Sequence, residues 1–269
     1  MSEPLALAPY TMWRDALVEV DEIFASPPGL DRPVGGCTYC VAESELRVLG
    51  GDPADVPDDL LRHFMREVAG HWDEDQYSTL WRRFIPRALR RWGPDGSGAG
   101  PSGEMGRLGC HGARLADWPV AERAAVERAF QALLRIAVTD GRPYWEITDL
   151  VEGIAHATGG LERWLHHIAG LTGPEADAGV VRVASGWADD LLLDELEFTW
   201  WHDGDPQLIA TWLPALRARM AAFAVRNPRC KNASDALIAI DALEAGTPGP
   251  WLSPYDIRAL SGPALIHQG

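Results

Sequence analysis

Apolar residues along the chain recur at spacings of three and four. Trp13, Leu17, Val20 and Phe24 predict a helix over 11–25, ended by Pro27-Pro28-Gly29. Pro57-Asp58-Asp59 opens a second helix, with Pro in its first turn and acids where the helix dipole favours them. Its apolar stripe is Leu60, Leu61, Phe64, Met65 and Val68. Trp72-Asp73-Glu74-Asp75 reads as a turn, and Leu80, Trp81, Phe84, Ile85 and Leu89 predict a partner helix that Pro86 should kink or break. Asp117-Trp118-Pro119 leads into a strong helix through Val138. Further helical pairs are predicted over 149–156 with 161–171, and over 187–201 with 207–225. A last helix spans 234–245. The stretch 172–179 reads as a loop, and strand-like alternation is confined to Val180-Val181-Arg182-Val183.

Two of these pairs share a register. A shift of 128 positions places Phe64 on Leu192, Glu67 on Glu195, Val68 on Leu196, Trp72 on Trp200, Leu80 on Leu208, Phe84 on Trp212, Ile85 on Leu213 and Pro86 on Pro214. One helix pair cannot bury its stripe alone, so such units stack. The expected fold is all-α: a HEAT-like α-solenoid of stacked helix pairs, with an irregular helical bundle as the alternative. Residues 93–112 hold eight glycines without periodicity. The expected organisation is therefore an N-terminal helical part over 1–92, a glycine-rich linker or loop over 93–116, and a helical-repeat part over 117–269.

Composition narrows the classes. With 46% apolar and 23% charged residues, the 269-residue chain reads as globular. Met1-Ser2-Glu3-Pro4 lacks signal-peptide character, and no run approaches ~20 apolar residues, so a soluble cytoplasmic protein without a membrane span is expected. The formal charge of −15 argues against nucleic acid and suits a protein partner with a basic surface.

Three features carry candidate chemistry. Cys37-x-x-Cys40 follows Gly35-Gly36, and two thiolates at this spacing can grip one metal, zinc foremost, or form a redox pair. A closed zinc site needs two more ligands, for which Cys110 with His111, His63 or His71 are the candidates. The ordinary reading of the pair is two small residues shaping a loop. The second feature is an acidic helical face of Asp190, Asp194 and Glu197, continued by Trp201 and Asp203, which could bind a divalent cation or a basic partner. Leu192 and Leu196 give that helix a buried stripe, so a solvated face is the duller alternative. The third is an arginine strip, Arg82, Arg83, Arg87, Arg90 and Arg91, suited to a phosphate or an acidic partner, or to pairing with neighbouring acids such as Asp73 and Asp75. His166-His167 beside Trp164 reads as structural. No G-x-S-x-G, P-loop, G-x-G-x-x-G or H-E-x-x-H occurs, so no catalytic residue is assigned.

Gly36-Cys37-Thr38-Tyr39-Cys40, Glu45-Leu46, Asp58-Asp59-Leu60, Trp72, Phe84-Ile85-Pro86-Arg87 and Asp117-Trp118-Pro119 with Glu122 together resemble a group of uncharacterised bacterial proteins of actinobacterial type. That group has an N-terminal C-x-x-C loop, a Trp-Gly turn and a helix reading roughly F-x-H-F-L-P-R. The resemblance covers about residues 35–170 and departs at Trp72-Asp73 and at Arg82 or Arg83. It implies a helical family and transfers no catalytic residue, because the group has no assigned activity. The functional expectation is a non-enzymatic helical interaction module, of immunity or antitoxin type, capping a basic partner and needing no cofactor. The alternative is a metal-binding protein or metal-dependent enzyme using Cys37 and Cys40 or the Asp190/Asp194/Glu197 face.

Overall fold

The computed structural model describes residues 8–94, 96, 101–193, 195, 196, 198 and 205–246. Its elements are α1 (Ala8–Ile23), α2 (Glu43–Leu49), α3 (Asp58–Arg66), α4 (Glu74–Trp92), α5 (Ser102–Met105), α6 (Val120–Thr139), α7 (Tyr144–Thr158), α8 (Glu162–Gly170), α9 (Pro174–Leu193), α10 (Asp205–Ala215), α11 (Arg217–Arg226) and α12 (Lys231–Ala245). Among the described residues the protein is all-α, the one extended pairing being an antiparallel bridge between Gly36 and Trp72. No single helix there is long and apolar enough to cross a membrane. The described residues form two compact units, one drawn from 1–136 and 149–160, the other from 137–148 and 161–269.

The first unit is built round the ring of Phe64. Trp72 (5.0 Å), Trp81 (5.1 Å), Phe84 (5.4 Å) and Tyr77 (5.8 Å) surround it, mostly edge-on. Such pairs add roughly 0.5–1.5 kcal/mol each beyond the area they bury. Trp92 extends the cluster from Trp81 to Phe130. This packing explains why α4 runs unbroken through Pro86: Phe84, Ile85, Ala88 and Leu89 around it are fully buried, and their packing outweighs the one backbone hydrogen bond that proline removes. The expected break at Pro86 is therefore absent.

The arginine strip on α4 fastens other segments to it. Arg82 grips Glu122 with two 2.6 Å bonds; Arg83 donates to the carbonyls of Pro28 (2.9 Å) and Gly51; Arg87 donates to those of Pro53 and Val56 and to Asp58; Arg90 pairs with Asp21. These four arginines are engaged inside the unit; the acids they pair with are Glu122, Asp58 and Asp21 rather than Asp73 and Asp75, which Arg32 takes. Part of the glycine-rich stretch also packs into this unit. Glu104 of α5, 4% exposed, accepts from Arg66 (2.8 Å) and Trp92 Nε1 (2.9 Å). Gly153 lets α7 approach Ser102 so closely that a Cβ there would lie 2.7 Å from its Cα.

In the second unit α9 is the central helix. It begins at Pro174, so the expected loop over 172–179 and the strand-like Val180–Val183 signal are both superseded by helix. Val180, Val181 and Val183 are buried in it. Beta-branched residues lean towards strand only weakly, and burial overrides that leaning. Gly179 and Gly186, seven residues apart on one face, let Val138 and the Tyr144 ring come close; a Cβ would meet Val138 O at 2.0 Å and Tyr144 Cδ2 at 2.3 Å. Trp187 donates to Thr148 Oγ1 (2.8 Å) and packs 5.5 Å from Trp212, whose indole donates to Leu165 O (3.0 Å). Arg219 closes the C-terminus of α8 by donating to Ala169 O (2.8 Å) and Leu171 O (2.6 Å), where helix carbonyls lack partners. The prolines aligned by the 128-residue shift behave differently. Pro86 sits inside a continuous helix, whereas Pro214 precedes a 52° bend between α10 and α11.

Candidate metal centre

The site begins with two glycines. Gly35 and Gly36 carry the chain past the α3–α4 connection with no room for a side chain. A Cβ on Gly35 would fall 1.9 Å from Asp73 Oδ2, and one on Gly36 would fall 2.9 Å from His71 O. The approach is fixed by polar clamps. Cys37 N donates to His71 O (2.7 Å) and Asp73 N to Gly35 O (3.3 Å). Gln76, 3% exposed, accepts from Gly35 N (2.8 Å) and donates to Arg32 O and Pro33 O. Arg32 bridges Asp73 and Asp75 at 2.8 and 2.7 Å. A buried glutamine satisfied at both ends of its amide holds a loop in one register.

That register presents the cysteines. Residues 37–40 form a turn in which Cys40 N donates to Cys37 O (3.1 Å), and Val41, fully buried, anchors the exit. On the facing segment α3 ends at Arg66, and the chain passes through Glu67 and a short 3-10 turn (Ala69–His71) to Trp72. Cys40, Glu67 and His71 meet here. Their ligand-type atoms all lie within 4.8 Å of one another, the one such set of three among the described residues. All three are partly buried, as is Cys37, three residues before Cys40 in the same turn.

His71 Nδ1 lies 3.0 Å from Glu67 Oε1, yet this buried nitrogen has no aligned hydrogen bond. Glu67 Oε1 already accepts from Val68 N (2.9 Å), and its other oxygen is 3.7 Å from His63 Nε2. The thiols divide in character. The backbone N–H groups of Cys40 and Tyr39 hold the Cys37 thiol below its usual range, while partial burial, and then the neighbouring Cys37 sulfur, push Cys40 up.

Of the ligands anticipated, His71 therefore lies beside Cys40. Cys37, His63, Cys110 and His111 are outside the set. The Cys110 thiol faces Gly106 O (3.8 Å), and His111 Nδ1 pairs with Glu74 (3.0 Å). Glu67 was not anticipated. The available signal was its four-residue spacing to His71, which looks like any helical ion pair until the helix is seen to end at Arg66.

The acidic face divides differently. Asp190 is half-buried and accepts a long bond from the Tyr144 hydroxyl (3.4 Å), and burial raises its pKa to about 6. Asp194, Glu197, Trp201 and Asp203 lie outside the described residues, as do Trp200, His202, Trp251 and Tyr255.

No protein-family model, curated protein or solved structure matches the chain. The likeness to C-x-x-C-loop bacterial proteins rests on the quoted residues alone.

Proposed function

We propose that this is a metal-binding protein whose centre holds one zinc-type divalent ion through Cys37, Cys40, Glu67 and His71. The observation that carries the proposal is the convergence of Cys40, Glu67 and His71 within 4.8 Å, with a second cysteine in the same turn as Cys40. Thiolate, imidazole and carboxylate together suit a borderline-soft ion that accepts tetrahedral geometry, whereas magnesium and calcium require oxygen ligands. Two ligands come from the 37–40 turn and two from the α3–α4 connection, so the ion would tie two segments otherwise joined by hydrogen bonds. Cobalt(II) titrated into metal-free protein is expected to give intense visible bands of tetrahedral type, with near-ultraviolet thiolate charge transfer. Both should vanish in the Cys37→Ser/Cys40→Ser variant. A weak octahedral spectrum shared by the two proteins would sink the proposal.

A stacked, HEAT-like arrangement remains the finer reading of the all-α fold, supported by the register shared between the Phe64–Pro86 and Leu192–Pro214 stretches. An interaction with a basic partner, of immunity or antitoxin type, is a second reading, supported by the formal charge of −15. The acids best placed for it near the centre are already paired: Asp73 and Asp75 with Arg32, Glu74 with His111, Asp117 with Arg114. Ranked on geometry, the metal centre comes first.

A further inference from the structure

We infer that the centre is redox-gated: a two-electron oxidant of the peroxide class joins Cys37 to Cys40 as a disulfide and discharges the ion. The inference rests on the metal reading above and adds how the site is regulated.

Three observations converge on it. First, the two thiols belong to one tight turn, closed by the Cys40 N to Cys37 O bond. Residues three apart in such a turn have Cα atoms closer than about 7 Å, within the span that a disulfide bridges without moving the backbone. Second, both cysteines are partly exposed, and Tyr39 between them is 96% exposed, so a small oxidant reaches the turn from solvent. Third, the remaining ligands lie on a separate segment. Losing both sulfurs leaves Glu67 and His71 alone, a pair too sparse to retain the ion. The loop itself need not unfold, because Gln76, Arg32 and the Gly36–Trp72 bridge hold it independently of the cysteines. Oxidation is therefore a local change that a dithiol can reverse.

The chemistry balances. One thiolate sulfur attacks a peroxide oxygen; the O–O bond breaks, a sulfenic acid forms and hydroxide leaves. The second thiolate attacks that sulfur; the S–S bond forms and the S–O bond breaks, releasing a second hydroxide. Two protons convert the hydroxides to two waters. The sulfurs supply both electrons, and the divalent ion leaves with its charge unchanged.

The test uses full-length protein purified without oxygen and loaded with zinc. Hydrogen peroxide is added in steps while released zinc is read with a chromogenic chelator, and the disulfide is mapped by peptide mass spectrometry. The expected result is one zinc released for each Cys37–Cys40 disulfide formed, with re-uptake after dithiothreitol and fresh zinc. The Cys110→Ser/Cys230→Ser variant should behave in the same way. Zinc that stays bound while the disulfide forms, or that leaves while both thiols remain reduced, overturns the switch and spares the metal centre. Protein that holds no zinc before oxidation overturns the metal reading, and the switch with it.

Discussion

Gly36 is where a single atom decides the site. A methyl group there would sit 2.9 Å from His71 O, so alanine must push the loop off the α3–α4 connection and carry Cys37 and Cys40 with it. Gly36→Ala is expected to cost about 1–3 kcal/mol of stability by overpacking and to weaken zinc binding by about tenfold or more. Gly70, one residue from the same segment, has open space around it and serves as the control. Gly70→Ala should stay within about 0.5 kcal/mol and bind zinc normally. Equal zinc affinity in the two variants would show that the close approach of the loop does not build the site. The glycine pair before Cys37 was visible in the sequence, and so was the thiol pair. What they face was not visible, because a bridge between residues 36 and 72 depends on how the chain returns, and local spacing carries no record of that.

At the scale of elements, helices with a periodic stripe were legible, and those whose packing is unusual were not. The stripes from Leu60 to Met65 and from Leu80 to Leu89 are buried as the periodicity required, but Val68, expected to continue the first, lies beyond the end of α3 and is exposed. The start of α9 was missed because Gly179 reads as a loop residue, although it marks helix packing against Val138. Further along α9, Asp190 gives a prediction with a sign. Burial raises its pKa from 3.8 to about 6, helped by Asp189 and Glu195 and opposed by the Tyr144 hydroxyl. A carboxyl harder to ionise in the folded state favours folding fully below about pH 4, and that contribution is lost as pH rises through about 6. Asp190→Asn should remove this decline and stabilise the protein at pH 7 by about 1 kcal/mol, a figure discounted for the hydration the half-buried carboxyl keeps. Denaturant midpoints at pH 4 and pH 7 for both proteins check it. The idea fails if the variant loses stability over that interval as steeply as the parent.

For the whole molecule, the helical class follows from periodicity over most of the chain, while the division into compact units falls within 136–160, where no composition shift marks it. Over the part described, Glu104 and Ser102 bind the expected linker or loop into the first unit. The proposed metal would join the 37–40 turn to Glu67 and His71. An ion that binds the folded protein alone stabilises it by about 4 kcal/mol when free zinc is a thousand times Kd. The most direct test is elemental analysis of full-length protein purified under reducing conditions, paired with thermal unfolding of the same samples. The account predicts about one zinc per chain, lost in Cys37→Ser/Cys40→Ser, with a Tm lowered by roughly 10 °C in the variant and by a similar amount in chelator-treated parent. A parent protein without stoichiometric metal, unfolding at the same temperature as the double variant, would contradict it.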